Sequence, residues 1–184
     1  MKKSLFLVLV SFIMLSGCTT EPVMKLKHNV VKEYNKDVTN LYVISNLAHK
    51  QKDFNELLQK SMLQEAKGIE LTYVSVTGVE EPGSFLKQAQ KLKATHALTI
   101  KPNGGTVNIF EEILSIKYEL DLIDLQSMAR VWRANIDFNP FMRDDSFINS
   151  HKRYTPIWDE RSSGPLAKKI FDALRNDGLL PSLN

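Results

Sequence analysis

Four kinds of residue in this chain could do chemistry: a single cysteine, four scattered histidines, adjacent carboxylates, and a stretch mixing arginine with large aromatics. Cys18 is the sole cysteine, so it has no internal disulfide partner, and its thiol needs another use. His28, His49, His96 and His151 are far apart, with no His-x3-His, His-Glu-x2-His or cysteine cluster, so the spacing of a zinc site is lacking. His96 reads as a partly buried strand residue. Glu80-Glu81, Glu111-Glu112 and Asp144-Asp145 sit at loop positions, the usual form of solvated charge; a glycosidase pair must instead be set apart across a cleft. Asn103-Gly104-Gly105 has the glycines of a phosphate loop but not its Lys-Ser/Thr, and strand residues follow where a helix start is needed, so it reads as a hairpin turn. Ser61, Ser84, Ser127 and Ser146 stand in no Gly-x-Ser-x-Gly elbow. No catalytic, metal or cofactor set emerges, and the expected class is a non-enzymatic binding or accessory module.

The candidate contact surface is residues 139–161, with Phe141, Arg143, Phe147, Arg153, Tyr154 and Trp158. Connections of this length are uncommon in a compact domain and are often functional or structureless. Aromatics with arginine are the composition of contact hot spots. The alternative is a structural lid, in which Phe141, Phe147 and Trp158 fold back onto the sheet.

The start of the chain decides compartment. Met1-Lys2-Lys3 precedes an apolar run from Leu5 to Leu15, broken only by Ser11. A basic start and a short apolar run are signal-peptide grammar. The run is well short of the roughly 20 apolar residues of a spanning helix. Leu15-Ser16-Gly17-Cys18 then resembles the lipobox of bacterial lipoproteins. That resemblance implies a diacylglycerol thioether on Cys18, cleavage before it and acylation of the new amine. One acyl chain holds a protein only marginally, whereas two or more anchor it stably. It also implies attachment to the bacterial envelope, and Thr19 in place of an Asp points to the outer membrane, facing the periplasm.

Loss of residues 1–17 leaves 167 residues, a suitable length for one domain. The precursor carries a formal charge of +3, and Lys2 and Lys3 leave with the signal. The near-neutral remainder gives no nucleic-acid footprint. Residues 18–38 read as a lipidated tether, with a possible edge strand at Lys27–Val31, and 39–184 as a single α/β domain.

Within that domain, Leu41–Ile44 suits a buried strand. Asp53 to Glu56 resembles a capping box before Phe54, Leu57, Leu58, Met62 and Ala66 at helical spacing, stopped by Gly68. Ile69–Thr77 is a second strand, and Pro82 opens a helix whose inner face is Phe85, Leu86, Ala89 and Leu92. His96–Lys101 is a third strand, turning at Pro102–Gly105 into a short return strand at Thr106–Phe110. Leu114, Ile116, Tyr118, Leu120 and Leu122 alternate with Ser115, Lys117, Glu119 and Asp121, and Trp132, Ala134, Ile136 and Phe138 alternate with Arg133, Asn135 and Asp137. A period of two describes strands with one dry and one wet face. Ser162 or Ser163 caps a last helix with Pro165 near its start, Leu166, Ile170, Phe171 and Leu174 inward, and Gly178 as the stop. The order β-α-β-α-β, then an antiparallel hairpin, then a C-terminal helix, predicts an α/β (α+β) fold with a mixed sheet.

The hairpin carries a second resemblance. Tyr118 to Asp124, a turn with Ser127, then Arg130-Val131-Trp132 is similar to a hairpin of small Gram-negative envelope lipoproteins, and Leu166 to Leu180 to their closing helix. The resemblance implies the α/β fold of curli-secretion lipoproteins, of lipoprotein activators of penicillin-binding proteins, and of the N-terminal domain of the Tol-system propeller protein. Met128 stands where that hairpin has a turn glycine, which predicts a looser turn. The implied role is an accessory module with an envelope protein partner, held to the membrane through Cys18. A lipid- or glycan-binding module is the alternative.

Overall fold

The computed structural model describes residues 23–47, 52–76, 82–107, 113–139 and 160–181. Among the described residues the elements run in the order β1 (Val23–Val30), β2 (Asn40–Ser45), α1 (Lys52–Glu65), β3 (Glu70–Ser75), α2 (Pro82–Lys91), β4 (His96–Val107), β5 (Ile113–Asp124), β6 (Ala129–Asn139) and α3 (Glu160–Asn176). The strands form one mixed sheet ordered β1-β6-β5-β4-β2-β3. β2 pairs in parallel with β3 and β4, the geometry that helical crossovers impose. β4, β5, β6 and β1 pair antiparallel. The fold is α/β with a mixed sheet, as the hydrophobic periods require.

The two faces of the sheet are packed differently. Helices α1 and α3 cover one face, where Phe54, Leu58, Met62, Leu166, Ile170, Phe171 and Leu174 meet Leu98, Leu120, Leu122, Trp132, Ile136 and Phe138. Helix α2 covers only the β2–β4 part of the other face, closing a smaller cluster of Tyr42, Ile44, Phe85, Ala89 and Ala97. Polar pins hold the first layer. The Asn55 carboxamide accepts the Tyr73 hydroxyl at 2.5 Å and donates to Ser75 Oγ. The Arg175 guanidinium donates to the Glu65 carbonyl at 2.7 Å, capping the C-terminal end of α1 where a cation is favoured.

Several features depart from the sequence reading. The edge strand expected at Lys27–Val31 runs instead over Val23–Val30, paired with β6 from Val23↔Asn139 to Val30↔Trp132. The turn expected at Pro102–Gly105 is instead a bulge inside the long strand β4, with a register shift between Pro102 and Gly105. Gly104 takes a φ of +102°, and a Cβ on Gly105 would stand 2.6 Å from the Ser115 carbonyl oxygen, so close strand approach demands the glycine. Leu92, expected on the inner face of the second helix, is half exposed, because α2 ends at Lys91 and Lys93 turns left-handed at φ 57°. The last helix begins at Glu160, so Ser162 and Ser163 lie within it rather than capping it. Their small side chains are buried against α1, where Ser163 Oγ meets Ser61 Oγ at 3.1 Å.

The β5–β6 turn is tight rather than loose. Asp124 Oδ1 accepts the Gln126 amide at 2.8 Å and the Ser127 amide at 3.3 Å, and Met128 takes a φ of 55°, a conformation that costs a side-chain-bearing residue roughly 1 kcal/mol over glycine.

Candidate functional site

Three polar constellations stand out, each positioned by the sheet. The first lies where β4 begins and β5 ends. His96 and Asp124 are register partners there, and the β1–β2 connection brings Tyr34 and Lys36 over them. His96 and Asp124 are both buried. Tyr34 Oη lies 2.5 Å from His96 Nε2 and 3.3 Å from Asp124 Oδ2. Lys36 Nζ lies 2.9 Å from the same Oδ2.

The proton positions follow from counting donors. Thr95 Oγ1 donates its one proton to the Asn40 carbonyl at 3.0 Å. It must therefore accept at His96 Nδ1, 3.0 Å away, so Nδ1 carries the hydrogen and Nε2 accepts the Tyr34 proton. Burial pushes the imidazole below its ordinary 6.5, with Lys36 acting the same way and Asp124 opposing. Burial also pushes the Tyr34 phenol up to about 12, reinforced by the adjacent Asp124 carboxylate. Burial alone would raise Asp124, but the Lys36 hydrogen bond and the Gln126 and Ser127 amides outweigh it and hold the carboxyl well below its usual range.

A groove of about 330 Å³ lies beside this cluster, lined by Lys36, Asp37, Gln90, Thr95, His96 and Asp124, among others. Asp124 takes three donors, one each from Lys36, Gln126 and Ser127, while the Tyr34 proton goes to His96. The arrangement acts as a fastener. It ties the connection after β1 to the start of β4 and to the hairpin turn.

The second constellation joins edge strand to helix. Asp177 follows α3, where the helix dipole disfavours a carboxylate. Two donors offset that: Trp132 Nε1 at 2.6 Å and His28 Nδ1 at 2.5 Å, both to Oδ2. The core tryptophan thus buries its ring and satisfies its N–H at once.

The third is the face of β1, β6 and β5 that no helix among the described residues covers. Cross-strand register sets its charges in rows. Lys25 faces Asp137, which faces Lys117; Lys27 faces Asn135, which faces Glu119 and then Lys101; Asn29 faces Arg133, which faces Asp121 and then Thr99. Arg133 grips Asp121 in bidentate fashion, Nε to Oδ1 at 2.6 Å and Nη2 to Oδ2 at 3.0 Å. Lys101 pairs with Glu119 at 2.7 Å, and Arg130 reaches Asp121 at 3.7 Å. Where this face meets α2, an apolar groove of about 220 Å³ opens between Ile44, Val76, Phe85, Leu86 and Ile123, rimmed by Lys101 and Asp121.

Cys18 and the candidate contact residues Phe141, Arg143, Phe147, Arg153, Tyr154 and Trp158 lie outside the described residues, as do His49, His151 and the three adjacent carboxylate pairs. His96 is fully buried rather than partly so, and Trp132 is core as its phase requires. Tyr34, Lys36 and Asp177 carried no local signal of their roles. Nor could the Arg133–Asp121 pair be counted outward from the hairpin turn: Asp124 faces Ala129 and Ile123 faces Arg130, but a bulge at Val131 then shifts the register by one and brings Asp121 opposite Arg133. Among the described residues there is no helix long and apolar enough to cross a membrane, and no group of three or more His, Cys, Asp or Glu that could hold a metal ion.

No protein-family model and no curated protein matches the chain. Among solved structures it is similar to the PelC dodecamer from Paraburkholderia phytofirmans, at 12% identity and a TM-score of 0.46 over 87% of this chain and all of that one. It is similar to the lipoprotein GNA1162 from Neisseria meningitidis, at 13% identity and a TM-score of 0.37 over 76% of this chain and 96% of that one. TolB from Acinetobacter baumannii aligns at 11% identity and a TM-score of 0.39 over 84% of this chain and 32% of its own length. With all three TM-scores below 0.5, the functional reading rests on this chain's own residues.

Proposed function

We propose that the protein is a lipid-anchored, non-enzymatic envelope lipoprotein that binds another protein as an accessory module, held through Cys18 to the outer membrane and facing the periplasm. The observation that carries the reading is the register of the outermost strand pair. Val23, five residues after Cys18, lies opposite Asn139, the last residue of β6. The anchor segment therefore enters the sheet at the strand end from which the chain leaves toward Phe141, Arg143 and the other aromatic and basic residues. A contact surface built from that stretch would be presented beside the membrane attachment. The Asp124 cluster, whose carboxylate is engaged by Lys36 and the Gln126 and Ser127 amides while Tyr34 engages His96, supports a structural rather than a catalytic use of these residues.

A lipid- or glycan-binding module is the second reading, favoured by the apolar groove beside α2, whose rim offers Lys101 and Asp121 to a polar head. In-cell crosslinking and recovery of the intact lipoprotein separates the two. The first reading expects a reproducible envelope protein that is lost in Arg143→Ala and Trp158→Ala variants whose unfolding midpoints are unchanged. Recovery of phospholipid or glycan alone overturns it and establishes the second.

A further inference from the structure

The uncovered sheet face is not evenly charged. Its ion pairs concentrate at one end, where Lys101, Arg130 and Arg133 neutralise Glu119 and Asp121. The other end carries Lys25, Lys27 and Lys117, all exposed, and the one carboxylate among them is Asp137, set between Lys25 and Lys117. Adjacent strands are about 4.8 Å apart and same-face residues on one strand about 7 Å apart, so the three lysines occupy a patch roughly 10 Å across. Among the described residues of this face six cations stand against three carboxylates, an excess that suits an anionic partner.

The chain's own length says which anionic partner is nearest. Lys25 and Lys27 lie seven and nine residues after Cys18. The five steps from Cys18 to Val23 reach at most about 18 Å even fully extended. β1 is also the edge strand farthest from the β2–β4 region on which α2 packs, so the bulk of α2 does not stand between this corner and a flat surface. A patch tethered this close meets the bilayer at high effective concentration, whereas a separate acidic protein must diffuse to it. Lysines near an anionic headgroup layer are each attracted within a Debye length of about 8–10 Å.

We propose that the open sheet face docks, through Lys25, Lys27 and Lys117, on the anionic lipid headgroups of the bilayer that holds Cys18. This rests on the anchored reading above. Docking would fix the orientation of the domain and set the end from which Phe141 and its neighbours emerge close to the membrane plane.

The test uses the processed, lipidated chain in vesicles of phosphatidylcholine alone or mixed with phosphatidylglycerol, with amine acylation read site by site by mass spectrometry. Lys60 and Lys67, exposed on and just after α1 on the opposite layer, are the internal controls. The expected result is about fivefold protection of each of the three lysines in the anionic vesicles. That protection should vanish in high salt and be absent in phosphatidylcholine. A Lys25→Glu/Lys27→Glu variant should float with the vesicles and keep its unfolding midpoint, yet lose the protection at Lys117. Equal labelling in the two vesicle types overturns the proposal. So does protection that appears only on adding an envelope extract, which would assign the face to an acidic protein. Flotation and intact mass are read on the same sample. Without acyl chains the anchored reading itself falls and takes this proposal with it; with them and with equal labelling, only the docking surface falls.

Discussion

Strand β6 writes two different surfaces with alternate residues. Trp132, Ala134, Ile136 and Phe138 are buried beneath α1 and α3, while Arg133, Asn135 and Asp137 point to the face those helices leave uncovered. The buried set meets matching apolar residues from β5 and two helices, and its one polar atom, the Trp132 N–H, has a partner in Asp177. The uncovered set meets water and ion pairs arranged by register. The difference separates what holds the molecule together from what it can offer to another surface, on neighbouring residues of a single strand.

The largest expected effect tests that division directly. Trp132→Ala removes the largest buried side chain and leaves Asp177 without one of its two donors. It should lower stability by about 3–5 kcal/mol in urea unfolding. Arg133→Ala, one residue along, breaks pairs whose arginine is a third exposed and should cost at most about 1 kcal/mol. Equal losses at the two positions would show that the faces are not divided as described.

The next effect concerns pH. His96 is held below 6.5 in the folded protein, so the unfolded chain takes up that proton first. Its contribution is complete above 6.5 and is lost as pH falls through the folded value, with a slope of about 1.4 kcal/mol per pH unit between the two. Asp124, also lowered, contributes above its ordinary 3.8 and is lost only at more acid pH. Urea midpoints measured downward from pH 7 should therefore fall before carboxylates titrate, and His96→Gln should flatten that first decline. An unchanged slope in the variant would remove His96 from the account.

The smallest effect is at the hairpin turn. Met128 is half exposed at a φ of 55°, so Met128→Gly should raise stability by about 1 kcal/mol, measured by thermal unfolding. A loss instead would mean that the Met128 contact with Gln90 outweighs the backbone cost.

The same comparison explains what the sequence made legible. Period-two alternation over β5 and β6 identifies both faces because each strand is dry on one side and wet on the other. The register of the hairpin does not follow from its turn alone, because the bulge at Val131 shifts it by one, so the Arg133–Asp121 pair is not legible. The bulge in β4 looks like a turn in the sequence because both structures ask for the same thing, a residue at positive φ, and Gly104 supplies it in either. β1 alternates lysine with Leu26 and His28, a polar pattern an edge strand shares with a tether. The Tyr34–His96–Asp124 cluster joins residues 62 and 90 positions apart through a connection of irregular sequence, where no periodicity could announce it.

Everything proposed for function depends on Cys18 holding the chain to a membrane. Labelling cells with tritiated palmitate and fractionating their membranes tests this most directly. The wild-type chain should carry label and sediment with the membranes, while Cys18→Ala should lose the label and accumulate as an unprocessed precursor. A wild-type chain that never takes up label would contradict the account.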